Sequence, residues 1–403
     1  MLRWTPWRRW SVLAVGFVAG CAPPKSRGFF PVTYWCPPPA EDARYKEAAE
    51  CGFNLALCGE PNLAHKYGMK CIVLDPRVSA AVDKPGPQTD CGLEEAVRQH
   101  ACHPAFMGFY LMDEPGAGKF ADLAHVNRYL LAKEPNGVPY INLFPTYANE
   151  QQLGTKTYEE HVERFMNEVG PRVLSYDHYA LMKNGTERAD YFRNMEVIRA
   201  AGLKYDVPYW FIFLITPHYG YRDPTEGDLR WQIYTALAYG YKGLVYFTYW
   251  SVKAEGFGES IIDLKGQRTH RYELAKKLNA EVHAIGPLLA GLRSTSVYHV
   301  AVKRPEGTRG PDDRSLVRNA EGGDLVIGEL QDAQAGRYLF VTNASPRNAA
   351  TVRLMLAEGV RVKGEIPRGR EPTEKVVIKG KPPVMSLVLS AGEGRLFKVA
   401  RRT

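Results

Sequence analysis

GFYLMDEPG, residues 108–116, is an apolar run that stops in two carboxylic acids. Gly108 to Met112 alternates aromatic and aliphatic side chains over a strand's length, and Pro115 with Gly116 forbids the strand to continue. Asp113 and Glu114 therefore stand at the C-terminal end of a buried strand. In a parallel α/β barrel that end opens onto the face where chemistry is done. The competing reading makes the pair an N-cap for the next helix, since Asp is a favoured cap. A cap needs one short carboxylate and does not ask for a glutamate beside it, so the functional reading is preferred.

Seven further runs of the same kind flank this one: Phe30–Trp35, Phe53–Cys58, Lys70–Asp75, Tyr140–Phe144, Val173–Tyr176, Tyr209–Ile215 and Leu244–Tyr249. Between them lie amphipathic stretches at Asp42–Glu50, Leu93–His100, Phe120–Lys133, Tyr158–Val169, Arg188–Ala201 and Thr225–Tyr239. Strands alternating with helices over about 250 residues predict a (β/α)8 TIM barrel, here residues 30–291. No GxGxxG or GxxxxGK follows any strand, which removes support for nucleotide-binding α/β folds. Beyond Tyr272 a closing helix is expected to end at Gly286-Pro287.

From Leu292 the pattern changes. Ser296–Val302, Asp324–Gly328, Gly336–Thr342, Thr351–Leu356, Glu374–Ile378 and Met385–Leu389 are short β segments between turn residues, which predict a small antiparallel β-sandwich over residues 292–403. Pro305–Gly323 reads as a polar, Gly-rich insertion.

The strand ends carry a coherent set of side chains: Trp35, Asp75 with Arg77, Asp113-Glu114, Asn142, Asp177-His178-Tyr179, His218, and Tyr249-Trp250. Hydroxyl-rich ligands need converging hydrogen-bonding groups and a flat apolar platform. Any one of these residues alone is more often packing than recognition; their joint occurrence at strand ends gives the reading its weight. Trp35, Arg77, Asn142, His178, Tyr179, His218, Tyr249 and Trp250 are the candidate substrate-binding residues.

The N-terminus reads as an export signal. Arg3, Arg8 and Arg9 precede an apolar segment, Ser11–Gly20, that is too short to span a bilayer. Val18-Ala19-Gly20-Cys21 resembles a bacterial lipobox, which predicts a signal peptide over 1–20, lipidation of Cys21 and a tether over 21–29. The expected location is the bacterial cell envelope, with the membrane as a partner through that lipid. The net charge is +8, and the 20 basic against 12 acidic residues from Leu292 onward account for all of it. No basic–aromatic stripe lies on one element, so a nucleic-acid partner is not expected. Six of the seven cysteines remain after Cys21. Cys91–Cys102 is the most plausible bridge in an exported chain.

Four stretches resemble glycoside hydrolases and their relatives built on the catalytic TIM barrel: GFYLMDEP, NLFPTYA (142–148), LSYDHYAL (174–181) and PTEGDLRWQIYTALAYGYKGLVYFTYW (224–250). The last, with Ile262–Asn279, is similar to family 42-type β-galactosidase relatives and to polysaccharide-utilisation proteins. The resemblance implies a carbohydrate substrate and carboxylate acid/base chemistry. In the large retaining clan with this barrel, an Asn precedes the acid/base Glu on strand four, and the nucleophile Glu ends strand seven. Here Asp113 stands for that Asn, and strand seven ends in Ile215-Thr-Pro-His218 without a carboxylate. The Asp-Glu pair is similar instead to hexosaminidases in which the Asp orients an acetamide of the substrate.

Glycoside cleavage needs an acid for the leaving oxygen and a second group for the oxocarbenium-like state. Glu114 is the expected acid, raised by burial and by Asp113. The second role is open to Asp177, to Asp113 through an N-acetyl group, or to Glu255, Glu259 or Asp263 after strand eight, with Asp177 ranked first. No metal triad is evident, and no cofactor is expected. The rival reading is a non-catalytic glycan-binding barrel lipoprotein.

Overall fold

The computed structural model describes residues 28–369, 377–380 and 382–401. Cys21, the signal segment and the tether up to Arg27 lie outside the described residues. Eight parallel strands form one sheet: β1 Val32–Tyr34, β2 Leu55–Leu57, β3 Lys70–Val73, β4 Phe106–Asp113, β5 Val138–Leu143, β6 Leu174–Asp177, β7 Tyr209–Leu214 and β8 Gly243–Phe247. Neighbours follow the order β1-β8-β7-β6-β5-β4-β3-β2. The seam between β1 and β2 is held by Asn54 N to Val32 O (3.1 Å), Val32 N to Asn54 Oδ1 (2.8 Å) and Thr33 Oγ1 to Leu55 O (2.6 Å). This is a TIM barrel, as the alternation of runs predicts.

The helices are α1 Asp42–Glu50, α2 Pro61–Lys66, α3 Pro76–Asp83, α4 Pro87–His100, α5 Phe120–Lys133, α6 Glu150–Leu153, α7 Tyr158–Glu168, α8 Tyr191–Tyr205, α9 Glu226–Tyr239 and α10 His270–Ala290. Leu55, Leu57, Ile72, Tyr140, Trp210, Ile212 and Val245 fill the barrel interior. Gly108 sits where β4 meets β5, and a Cβ there would lie 1.9 Å from the Val138 carbonyl oxygen. Only a residue without a side chain fits.

A β-sandwich follows, built from β9 Arg293–Val300, β10 Val317–Glu321, β11 Leu325–Gln331, β12 Arg337–Asn343, β13 Ala350–Leu356, β14 Val360–Ile366, β15 Val377–Lys379, β16 Val384–Leu389 and β17 Gly394–Arg401. One sheet runs β10-β13-β16-β15, the other β14-β17-β12-β11-β9. The second sheet lies on α9, which is buried around nearly its whole circumference, as an apolar helix between two layers must be. A Cβ on Gly328 would lie 2.0 Å from the Ala238 carbonyl oxygen, so β11 runs directly over that helix. Arg230 grips Glu281 through two bonds of 2.7 Å, and Arg368 approaches the same carboxylate at 3.8 Å.

Three expectations need correction. The closing helix does not end at Gly286-Pro287; it runs through Pro287 to Ala290, and the buried Lys242 ammonium takes up the terminal carbonyls of Leu289 (2.6 Å) and Leu292. The segment 305–323 is not all insertion, because β10 pairs with β13 inside it. Cys91 is an exposed free thiol, so the expected bridge to Cys102 is not formed.

Candidate active site

The polar centre of the mouth is built by β4, β5 and β6 in adjacent register. Asp113 stands opposite Asn142 on β5, which in turn pairs with Ser175 on β6. Asn142 is buried, and its Nδ2 donates both to Asp113 Oδ1 (3.0 Å) and to Asp177 Oδ1 (2.9 Å). The orientation of that amide is fixed from below. Ser175 Oγ donates to Asn142 Oδ1 (3.2 Å), and Tyr140 Oη lies 2.8 Å from the serine oxygen, where it can donate in turn. A chain of hydroxyls inside the barrel thus turns the amide N–H groups toward the two acids.

Glu114 follows Asp113 with a left-handed backbone, φ +45°, while its N–H donates to the Asn142 carbonyl at 2.8 Å. The turn sets its carboxyl in the mouth beside that of Asp177, close enough that each acts on the other's charge. Asp177 is buried at the floor, Glu114 is half-buried, and Asp113 stands open at the rim though hemmed in by protein on most sides. Burial first, then the charge of Asp113, pushes Glu114 up to about 7. Burial, then repulsion by Glu114 and Asp113, drives Asp177 well above the usual carboxylate range; the Asn142 bond works against it. Desolvation raises Asp113 also. Acids so close resist ionising together, and burial with mutual repulsion holds Glu114 and Asp177 both above the usual carboxylate range.

An aromatic wall faces this cluster. Tyr179 lies 5.0 Å from Phe247, 5.2 Å from His218 and 5.6 Å from Tyr221, centroid to centroid. His218 stacks on Phe257 at 5.0 Å and donates from Nδ1 to the Thr216 carbonyl (2.9 Å), which leaves Nε2 as an acceptor. Tyr147 packs between these groups, its hydroxyl 3.4 Å from the Tyr179 N–H, and burial with the charge of Asp177 raises both phenols. On the other side Trp35 meets Tyr110 edge to face at 5.9 Å.

Glu114, Asp113, Asp177, Asn142, Tyr179 and His218 therefore meet at the mouth, while Trp35 packs on Tyr110 and the top of the barrel interior. The other candidates lie elsewhere. Arg77 is clamped by Asp75 (2.9 and 2.6 Å) and reaches Gln99 on α4, because Asp75-Pro76 caps and opens α3 immediately after β3. Tyr249 is fully buried against Tyr34 and Phe53, since β8 ends two residues before it. Trp250 lies beneath the Arg44 guanidinium at 5.3 Å. His178, its neighbours Asp177 and Tyr179 facing inward, points outward to Asn194 (Nδ1 to Oδ1, 2.9 Å), and burial lowers it to about 4. Asp263 accepts from the N–H groups of Lys265 and Gln267 within its own turn, while Glu255 and Glu259 are exposed. Tyr110, Tyr147, Tyr221, Phe247 and Phe257 were not anticipated. Tyr147 was within reach, because it sits five residues beyond Asn142 on the same strand-end loop.

No family model matches the chain, and no curated protein matches its sequence. Among solved structures it is similar to a β-galactosidase from the psychrophilic Marinomonas ef1, at TM-score 0.56 and 9% identity over 92% of this chain and 100% of that one. A family 5 glycoside hydrolase from Bacteroides vulgatus gives TM-score 0.55 and 11% identity over 93% and 90%. The chain shares with both the TIM-barrel fold. At such identity the likeness speaks for architecture, and function rests on the site.

Proposed function

We propose that the chain is a glycosidase in which Glu114 delivers the proton to the leaving oxygen and Asp177 is its partner carboxylate. What supports it is the way Asn142 gathers the three acids, its amide bonding Asp177 (2.9 Å) and Asp113 (3.0 Å) while its carbonyl takes the Glu114 N–H (2.8 Å), with Glu114 pushed up to about 7 by burial and by Asp113. Glu114, the less buried of the two, stands where a leaving oxygen can take its proton, and Asp177 is the carboxyl group left to face the sugar ring once substrate has displaced its neighbour's charge. A carboxyl separation of about 5–5.5 Å would mean double displacement and roughly 6.5–9.5 Å direct water attack, which the anomeric configuration of the released sugar reads out. Asp113 contributes charge that holds the proton on the pair, and the Tyr179–His218–Phe247 wall supplies a platform for a sugar face. Because Asp177 lies beside Glu114, the acetamide-assisted scheme through Asp113 takes second place.

The reading also puts the chain in the cell envelope, exported by residues 1–20 and anchored by lipid on Cys21, because the sequence there has the form of a lipobox. A non-catalytic glycan-binding barrel is the second reading. It is favoured by the end of β7, where Thr216 Oγ1 is spent on Ser260 (3.0 Å) and no carboxylate stands. Aryl-glycosides and oligosaccharides screened with the wild type and Glu114→Gln separate the two. Turnover should fall by about 100- to 10,000-fold in the variant, least for dinitrophenyl leaving groups that need no proton. Glycan binding without any turnover in the wild type would replace the enzyme by the binding protein.

A further inference from the structure

Arg188 lies on the loop between β6 and α8, and the fold holds it firmly at the mouth. Its N–H donates to the Ala180 carbonyl (2.9 Å), and the bridge Leu181–Glu187 closes the loop on itself. The guanidinium carbon sits 4.0 Å from the Tyr147 ring centre and 5.9 Å from that of Tyr221. Nη2 makes one long bond of 3.4 Å to Tyr221 Oη, and Nε is buried with no acceptor. Tyr147 and Tyr221 belong to the aromatic wall over Asp177.

Among the described residues Arg188 makes no ion pair, and its acidic neighbours are committed elsewhere. Glu187 takes Arg222 (2.7 Å) and Arg347 (2.6 Å). Asp190 takes the Thr146 hydroxyl (2.7 Å) and faces His178 at 3.7 Å. Lys183 of the same loop, tied by its N–H to the Gly220 carbonyl (2.9 Å), is likewise without an ion pair among the described residues. A guanidinium with a buried, unsatisfied donor is costly, and two tyrosine faces offset the cost only in part. The planar fork is matched by a carboxylate or a sulfate.

We infer that Arg188 is a specificity-determining residue that reads an anionic substituent of the glycan, a uronic-acid carboxylate or a sulfate ester, in a subsite beside the reacting carboxylates. The inference rests on the glycosidase reading for its geometry, while its test reads binding as well as turnover. The rings hold the guanidinium at the wall, and Nη1, neither buried nor bonded among the described residues, is the end that meets the ligand, with Nη2 able to leave its long bond to Tyr221 and join it. The three acids across the mouth would repel an anion bound too deep, which restricts the charged group to the sugar next to the one being cleaved.

The probes are oligogalacturonate and glucuronoxylan oligosaccharides, each beside its carboxyl-reduced counterpart, together with a sulfated carrageenan oligosaccharide. Calorimetry on the full chain should show the charged member of a pair bound about 10- to 100-fold more tightly, as a charge-assisted bond allows. The gap should narrow as salt is raised. Arg188→Gln should erase the preference, with Arg188→Lys restoring part of it, and unchanged thermal midpoints show that both variants fold. The carboxylate and sulfate arms decide which anion is preferred. Preference without hydrolysis keeps the anion subsite and removes the glycosidase reading. Hydrolysis with equal handling of charged and reduced probes, or a preference that survives Arg188→Gln, overturns the inference, and so does failure of every charged probe to bind.

Discussion

Replacing Asn142 with leucine removes the one donor that two acids of the mouth share while keeping nearly the same volume. In the wild type Nδ2 serves Asp113 at 3.0 Å and Asp177 at 2.9 Å. Both bonds favour the ionised carboxylates and so hold their pKa values down against burial. A hydrogen bond to a charged group contributes about 1.5–3 kcal/mol, and 1.36 kcal/mol corresponds to about one pKa unit. Shared between two acceptors, the loss should raise each acid by about one unit. Turnover needs the singly protonated pair, so the acidic limb of the kcat/KM profile should move up by about one unit. Asp113, raised further, would then repel Glu114 less, so the basic limb should stay or fall. The bell narrows from its acid side. Stability follows the same sign. The variant's acids have folded pKa values raised further above the unfolded ones, near 4, so its deficit in thermal midpoint should be smallest below pH 4 and grow as pH rises. A kcat/KM profile lowered in height with both limbs unmoved would refute the role given to Asn142.

Glu281→Leu should destabilise the fold by about 1–3 kcal/mol in denaturant titration, because Arg230 loses a two-bond partner between barrel and sandwich while it keeps Glu226 and Arg368 keeps Glu393; a loss below about 0.5 kcal/mol would contradict it. Cys21→Ser should abolish lipid labelling and release the protein from membranes, since the thiol is the acceptor; unchanged membrane fractionation would remove the anchor from the proposal.

The barrel was legible because each run of apolar residues was long enough to cross it and ended in turn chemistry. Even so, the ends were drawn too late by one or two residues at β1, β3 and β8, and at β8 this changed the chemistry. Counted from Phe247, Tyr249 belongs to the core with Tyr34; counted from a longer strand it belongs to the mouth. Arg77 went astray for a related reason. Asp75-Pro76 is a cap followed by proline at the first helical position, a signal that was present and outranked the strand-end reading. His178 shows the limit of naming a tripeptide, because in YDHY only alternate residues can face one side. Tyr147, Tyr221 and Arg188 stand on three separate loops, and no periodicity in the sequence marks residues that meet only after the barrel has closed.

Glu114 occupies a backbone region that side chains rarely adopt, at φ +45°, and Cys36 and Cys58 do the same beyond β1 and β2. For a glutamate that conformation costs of the order of 1 kcal/mol, whereas glycine would adopt it freely. Drift in sequence therefore has a direction at this position. A lineage that stopped using the carboxyl would gain stability from the first glycine to arise there, and the change would be hard to reverse. Related barrels that have become pure binders should carry a small residue at this point while retaining the aromatic wall.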